Sequence, residues 1–256
     1  MRDILTQGLS LMGITPPPRA VEMLCRYAQL LLEQNQVMNL TAITEPTQVA
    51  RLHFLDSAAI LAWGERRAQP ASPQAKAAGA PSSTWLSDQS LVDVGTGAGF
   101  PGMVLKILEP SLRLTRVDSL GKRISWLERV CEALSLDGVR CIHGRAEELA
   151  HVPEFRARFD VATSRAVAAF PALCELCLPY LKPGGVFLAM KSVESSPEVA
   201  EGQRAVKRLG GKVWESWDYP VPGAGVTHRL IPVEKRSPTP GDLPRSWGKI
   251  KKTPLV

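Results

Sequence analysis

The chain has 256 residues, 45% of them hydrophobic and 22% charged, the make-up of an ordinary globular protein. At about 150 residues per domain, that length means one large domain or a main domain carrying a smaller one, with a core that needs neither metal nor disulfide to hold it. Collagen, coiled coil and full-length disorder are excluded. No apolar run reaches the roughly 20 residues of a bilayer span, and the opening Met1-Arg2-Asp3-Ile4-Leu5-Thr6 lacks the apolar stretch of a signal peptide. A cytoplasmic protein with no membrane partner is expected.

Five cysteines are an odd count for a disulfide framework. Cys174 and Cys177 make a CxxC with no second pair to complete a zinc site, so they read as small apolar residues on a buried helix, and no metal is expected. The net charge of +6 is concentrated in the last 22 residues, which carry six basic and one acidic side chain. Such a tail suits either a nucleic-acid contact or a solvated end.

In chain order, residues 1–63 read as a small helical N-terminal unit. Val21, Leu24, Ala28 and Leu31 recur at helical spacing, as do Val49, Leu52, Leu55 and Ala59 behind Pro46, a residue suited to a first helical turn. Residues 64–90 follow as an Ala/Pro/Ser-rich segment, densest from Ala68 to Thr84, where the single charge is Lys76. It is too poor in large apolar side chains to pack, and a flexible insertion is expected.

From Leu91 to residue 235 short apolar runs alternate with helical patterns. The strand candidates are Leu91–Val94, Leu112–Val117, Val139–Ile142, Phe159–Thr163 and Val186–Met190, and Leu120, Ile124, Leu127, Cys131 and Leu134 trace one helical face in the second gap. Alternation of this kind predicts an α/β fold: parallel βαβ units in an open, doubly wound, Rossmann-like sheet. Arg229–Val233 is expected to close it as an edge strand, where Pro232 is tolerated. Residues 236–256 form the basic tail.

The strongest single motif is Asp93-Val94-Gly95-Thr96-Gly97-Ala98-Gly99-Phe100-Pro101-Gly102, directly after the first predicted strand. Gly95, Gly97 and Gly99 let the backbone turn tightly and approach a ligand. A dinucleotide fingerprint requires a third glycine where this chain has Phe100, which disfavours a nicotinamide-dependent dehydrogenase. A GxGxG loop suits a cofactor without a diphosphate, such as S-adenosyl-L-methionine, although a purely structural turn also fits. Asp118 follows the second strand at the same sheet edge, where its carboxylate can accept both ribose hydroxyls or cap the Leu120 helix. Gly144-Arg145-Ala146-Glu147-Glu148 follows the third strand and Ser164-Arg165-Ala166 the fourth. Ala146 and Glu147 are expected to flank an adenine, while Arg165, Lys191 and Arg145 are candidates for positioning a substrate.

Together with Asn39-Leu40-Thr41, His53-Phe54-Leu55-Asp56-Ser57 and Asp118-Ser119-Leu120-Gly121-Lys122-Arg123, these motifs resemble the bacterial 16S ribosomal RNA (guanine-527-N7) methyltransferases, the glucose-inhibited division protein B family. The resemblance implies a class I methyltransferase fold with a seven-stranded sheet. It also implies S-adenosyl-L-methionine contacts at Gly95, Phe100, Asp118, Ser119, Leu120, Ala146, Glu147 and Arg165, and a substrate in the 530 loop of 16S ribosomal RNA in the small ribosomal subunit. A monomer is expected. Where family members tend to carry Glu-Arg, this chain has Thr227-His228, with Arg229 one place late.

Guanine N7 carries a lone pair and no proton, so its methylation requires no general base, and the core motifs contain no His/Asp or Cys/His pairing that would supply one. His53 and Asp56 are read as joining the helical unit to the core or lining the cleft. Removal of residues 245–256 is expected to weaken RNA binding and to leave cofactor affinity unchanged. The rival readings are a methyltransferase for another RNA or a small molecule, and a non-enzymatic RNA-binding factor on a cofactor fold.

Overall fold

The alternation of apolar runs and amphipathic segments is realised as a sheet with helices on both faces. The structure, a computed structural model, describes residues 1–68 and 84–255. Helices α1 (Arg2–Leu11), α2 (Ala20–Asn35) and α3 (Pro46–Gln48) lead through a π-helical turn (Val49–Leu55) into α4 (Asp56–Ala68). Then come β1 (Ser90–Val94), α5 (Gly102–Leu108), β2 (Arg113–Asp118), α6 (Gly121–Ala133), β3 (Val139–His143), α7 (Ala146–Leu149) and β4 (Phe159–Arg165). The chain continues with α8 (Phe170–Cys177), β5 (Leu181–Ser192), α9 (Ser196–Arg208), β6 (Gly211–Val213), β7 (Trp217–Pro220), β8 (Thr227–Lys235) and α10 (Trp247–Lys252).

The strand order is β3-β2-β1-β4-β5-β8-β6, with β7 also paired to β8. β1 to β5 are parallel and β8 runs antiparallel to β5. β6 and β7 lie end to end along one edge of β8, so the expected seven ranks are filled by eight segments among the described residues.

The late strand is a correction to the expectation of an edge, because β8 lies between β5 and the β6/β7 rank. Its proline is accommodated by a gap. Trp214 N–H donates to Pro232 O at 2.9 Å, and a residue's N–H and C=O face the same neighbour in an antiparallel ladder. The donor that Pro232 lacks therefore falls on the outer rank, where β6 has ended and β7 has not begun.

Alternate residues of the strands feed two cores. Leu91, Leu114, Val161 and Leu188 pack with the N-terminal helices, α5 and α6, whereas Val92, Val117, Ala162 and Phe187 pack with α8 and α9. Cys174 and Cys177 are fully buried on α8 in the second core. The tail joins that core too: Leu243, Ile250 and Leu255 are buried in it. In the expected insertion, residues 64–68 continue α4. Trp85 donates from Nε1 to Ile60 O at 3.2 Å and meets the Trp63 ring edge-on, with Leu86 buried behind it. Residues 69–83 of that segment lie outside the described residues. Among the described residues no helix is long and apolar enough to cross a membrane.

Candidate functional site

The glycine loop follows β1 at the carboxyl edge of the sheet. Gly95 has φ +70°, and a Cβ there would lie 2.4 Å from Val167 Cγ2. Gly99 has φ +105°, and its Cβ would lie 2.3 Å from the Tyr27 hydroxyl. Both are closed to any side chain. The loop is tied from below by Asp93, whose buried Oδ2 accepts from Thr96 Oγ1 at 2.6 Å and Gly102 N at 3.2 Å. Burial pushes the Asp93 carboxyl up to about 6, with the Thr96 and Gly102 bonds opposing. Tyr27, from the helical unit, donates to Ala98 O.

Three cavities adjoin along this edge. The first, about 200 Å³, is lined by Val94, Gly95, Val117, Asp118, Ser119, Arg145, Ala146, Glu147 and, from the C-terminal tail, Trp247. The second, about 420 Å³, shares Gly95, Asp118 and Ser119 with the first and adds Thr96, Gly97, Phe100, Thr41 and Arg165. The third, about 530 Å³, shares His53, Arg165 and Ala166 with the second and adds Asp56, Lys191, Tyr219 and His228.

Asp118 stands at the junction of the first two. It does not cap α6, whose N-cap is Leu120 with no side-chain bond. Instead its Oδ1 accepts from Leu120 N and its Oδ2 from Gly97 N, each at 2.9 Å. A carboxylate has about four acceptor positions; with Arg123 Nη1 3.5 Å from Oδ2 as a looser ion pair, acceptor capacity for ribose hydroxyls remains. This acceptor and the side-chain-free turn at Gly95 fit an adenosyl cofactor: Gly95, Asp118, Ser119, Ala146 and Glu147 would hold its nucleoside.

Arg165, at the end of β4, joins the sheet to the helical unit. Its Nη1 donates to Leu52 O and Asp56 Oδ2, both at 3.0 Å, and its Nη2 to His53 Nδ1 at 3.0 Å. The π-helical turn makes this possible, since Asp56 N–H bonds to Arg51 O instead of Leu52 O, and Leu52 O serves the arginine. Irregular turns of this kind recur at functional sites. The guanidinium also stands 4.9 Å from the centre of the Phe100 ring, which stacks on His53 at 4.5 Å.

Asp56, 2% exposed, accepts in addition from Tyr219 Oη and His228 Nδ1, each at 2.8 Å. Burial alone would raise its carboxyl, but the His228 hydrogen bond and the Arg165 charge outweigh it and hold the group below its usual range. His228 is raised by the same bond. His53 moves the other way, down to about 3, through burial and then the Arg165 charge. It is a neutral imidazole that accepts from Arg165 at Nδ1, which leaves Nε2–H to donate to Thr41 Oγ1 at 2.7 Å.

Of the predicted site residues, Gly95, Gly97, Phe100, Asp118, Ser119, Ala146, Glu147 and Arg165 line the first two cavities. Gly99 lies behind the loop against Tyr27, and Leu120 contributes its backbone N–H to Asp118 while its side chain is exposed. Lys191 lies in the third cavity with Arg165, its ammonium 2.7 Å from Glu198 Oε2. Arg145 is placed apart from the other two positioning candidates. It lines the first cavity, away from Arg165 and Lys191, because α7 starts beyond β3, on the far side of β1 from β4. Thr41, Tyr219, His228 and Trp247 were not anticipated as a group, although the Asn39-Leu40-Thr41 motif and the Thr227-His228 departure marked two of them.

The whole chain aligns with ribosomal RNA small subunit methyltransferase G of Alkaliphilus oremlandii, at 40% identity over 256 residues and 99% of that protein. The protein of the same name from Lachnoclostridium phytofermentans is 41% identical over 258 residues, again covering 100% of this chain and 99% of the relative. Among solved structures, a mutant of MtNAS superposes with a TM-score of 0.52 at 16% identity, covering 85% of this chain and 76% of that one. That likeness concerns the fold alone. The family model described as rRNA small subunit methyltransferase G matches residues 80–216, and with relatives this similar along its full length the chain belongs to that family of S-adenosyl-L-methionine-dependent methyltransferases.

Proposed function

We propose that the chain methylates N7 of guanine 527 of 16S ribosomal RNA in the small ribosomal subunit. One observation carries this reading: the cavity next to the cofactor cleft presents basic side chains, and its carboxylates are already paired, so it offers no free general base. Arg165, Lys191 and His228 line it. Its other candidates for proton transfer, His53, Asp56 and Glu198, are committed, Glu198 pairing with Lys191 and accepting from Phe170 N at 2.8 Å. His53 has both ring nitrogens engaged and is held neutral, and Asp56 accepts from three side chains. A purine N7 suits such a pocket, because it presents a lone pair without a proton to remove.

S-adenosyl-L-methionine, when bound, supplies an electrophilic methyl group on its sulfonium. The chain's own contribution is position, an effect worth several kcal/mol in well-oriented reactions. Asp118 and the Gly95–Gly97 turn hold the nucleoside. Phe100 and His53 form the floor between the second and third cavities. His228, held up by its bond to Asp56, and the ammonium of Lys191 suit guanine O6 or a phosphate; a donor aimed at N7 itself would block the reaction. Structured RNA is read by shape, phosphates and unstacked bases, and a guanine extruded from a loop fits a cavity of this size. Incubation with labelled S-adenosyl-L-methionine and small subunits lacking the modification, followed by mapping of the methylated nucleotide, tests the proposal. Label at guanine 527 is expected, and label at another nucleotide, or on small molecules alone, overturns it.

A further inference from the structure

The tail is more than a basic extension. Glu175 on α8 is fully buried, and its carboxylate accepts from Arg245 N at 2.8 Å, Nε at 2.9 Å and Nη2 at 2.7 Å. Arg156 binds the approach to that anchor, donating to Thr239 O, Pro240 O and Leu243 O at 2.9 Å each, and His151 Nε2 lies 2.8 Å from Pro244 O. Beyond the anchor, α10 buries Ile250 in the second core. The segment on either side of Trp247 is thus fixed at two points: by a buried ion pair two residues before it and by a buried apolar side chain three residues after it.

Trp247 itself is half-buried and lines the first cavity together with Val94 and Val117, at the ends of β1 and β2, and Ala146, at the start of α7. The cavity's lining also includes Leu176 and the polar residues Asp118, Ser119, Arg145 and Glu147. An apolar slot with one aromatic side and a few polar groups at the edge suits a flat, neutral heteroaromatic ring, because stacking on an aromatic side chain is indifferent to which purine edge faces the polar rim. We propose that Trp247 forms the aromatic wall of the purine subsite, so that the C-terminal segment is a structural part of the cofactor site. The proposal rests on the methyltransferase reading and names a binding residue that the glycine loop and the ends of the central strands do not supply.

The test is the affinity, by calorimetry, of S-adenosylhomocysteine and of methylthioadenosine, which lacks the amino-acid end, for the full-length wild type, Trp247→Ala and Trp247→Phe. Truncation to alanine is expected to weaken both ligands about tenfold or more, and by the same factor, since the loss falls on the part they share. Phenylalanine is expected to stay within about threefold of the wild type. Ligand is also expected to change the indole emission of the wild type in a way that Trp247→Phe lacks.

A folded Trp247→Ala protein with unchanged affinity, or one that loses S-adenosylhomocysteine and keeps methylthioadenosine, overturns the aromatic wall and leaves the methyltransferase reading standing. If the alanine variant does not fold, the emission comparison decides, and an identical ligand response in wild type and Trp247→Phe overturns the proposal. A wild type that binds neither ligand overturns the wall and the methyltransferase reading together.

Discussion

The two ends of the groove are built by opposite ends of the chain and by different physics. Around Arg165 the N-terminal helices contribute Leu52, His53 and Asp56, and the contacts are hydrogen bonds among buried or half-buried charges. At the other end the tail contributes Trp247, and the lining is largely apolar. The sheet edge supplies the glycine turn and Asp118 in the middle and, at the charged end, Arg165, Lys191 and His228. A Rossmann-like core therefore gives a place for an adenosyl group, while what lies at either end of that group depends also on the segments outside the core.

The sharpest way to break the charged end is Asp56→Ala. It would leave Arg165, His228 and Tyr219 facing a cavity without their common acceptor, and removing one partner of a buried ion pair costs about 3–5 kcal/mol. Urea unfolding should show a loss of that size. A loss under about 1 kcal/mol would mean that water replaces the carboxylate and that the joint between helices and sheet does not depend on it.

At the apolar end the corresponding break is Arg245→Ala, which strands the fully buried Glu175. The expected loss is about 3 kcal/mol, below that for Asp56, because the arginine side is 22% exposed and solvent can reach part of the pair. A second substitution, Glu175→Gln, should recover part of it. The same variant should lose affinity for S-adenosylhomocysteine, since the anchor holds Trp247 in place. From sequence the opposite is expected, that the tail and the cofactor are independent, and this affinity decides between the two.

The fold itself shows where sequence reading stops. β1 to β5 were legible because parallel βαβ units repeat a pattern of apolar run, turn and amphipathic helix, and the residues at the ends of those strands could be assigned to one edge. β6 and β7 were not, being three and four residues long with Lys212 and Asp218 among them. The π-helical turn left no trace because its residues keep an α-like apolar spacing. Asp56 meets Tyr219 and His228 across more than 160 residues, a pairing that no local pattern encodes. In the tail the signal was present but outweighed: Trp247, Ile250 and Leu255 are apolar positions among lysines, and the charge drew attention away from them.

The middle of the groove is tested by Asp118→Ala. Charge-assisted hydrogen bonds of about 1.5–3 kcal/mol are at stake, and calorimetry with S-adenosylhomocysteine should show a loss in that range. Part of it will come from the freed Gly97 N–H, which Asp118 Oδ2 holds at 2.9 Å. Asp118→Asn should fall between wild type and alanine, since its amide oxygen can still accept one of the two backbone bonds. An unchanged affinity would remove Asp118 from the ribose role and leave it as a clamp on the loop.

The smallest effect concerns pH and separates the charged end from the apolar end. His228 is raised by its hydrogen bond to Asp56, with burial and Arg165 opposing and the charges of Asp56 and Glu194 assisting. Because the folded value exceeds the unfolded 6.5, the contribution of the pair to stability is fully present below pH 6.5 and is lost as pH rises through the folded value. If the imidazolium holds an electronegative edge of the RNA, KM for small subunits should rise over the same interval, by about 1 kcal/mol or roughly fivefold, the difference between a charged and a neutral donor. The maximal rate should stay flat there, since N7 has no proton to lose and His53, held down to about 3, does not titrate in that window. S-adenosylhomocysteine affinity should also be flat, because the first cavity contains no histidine. His228→Gln should abolish the slope in KM, and His228→Arg should hold KM low at high pH. A slope that persists in His228→Gln would assign the titration elsewhere and remove His228 from substrate binding.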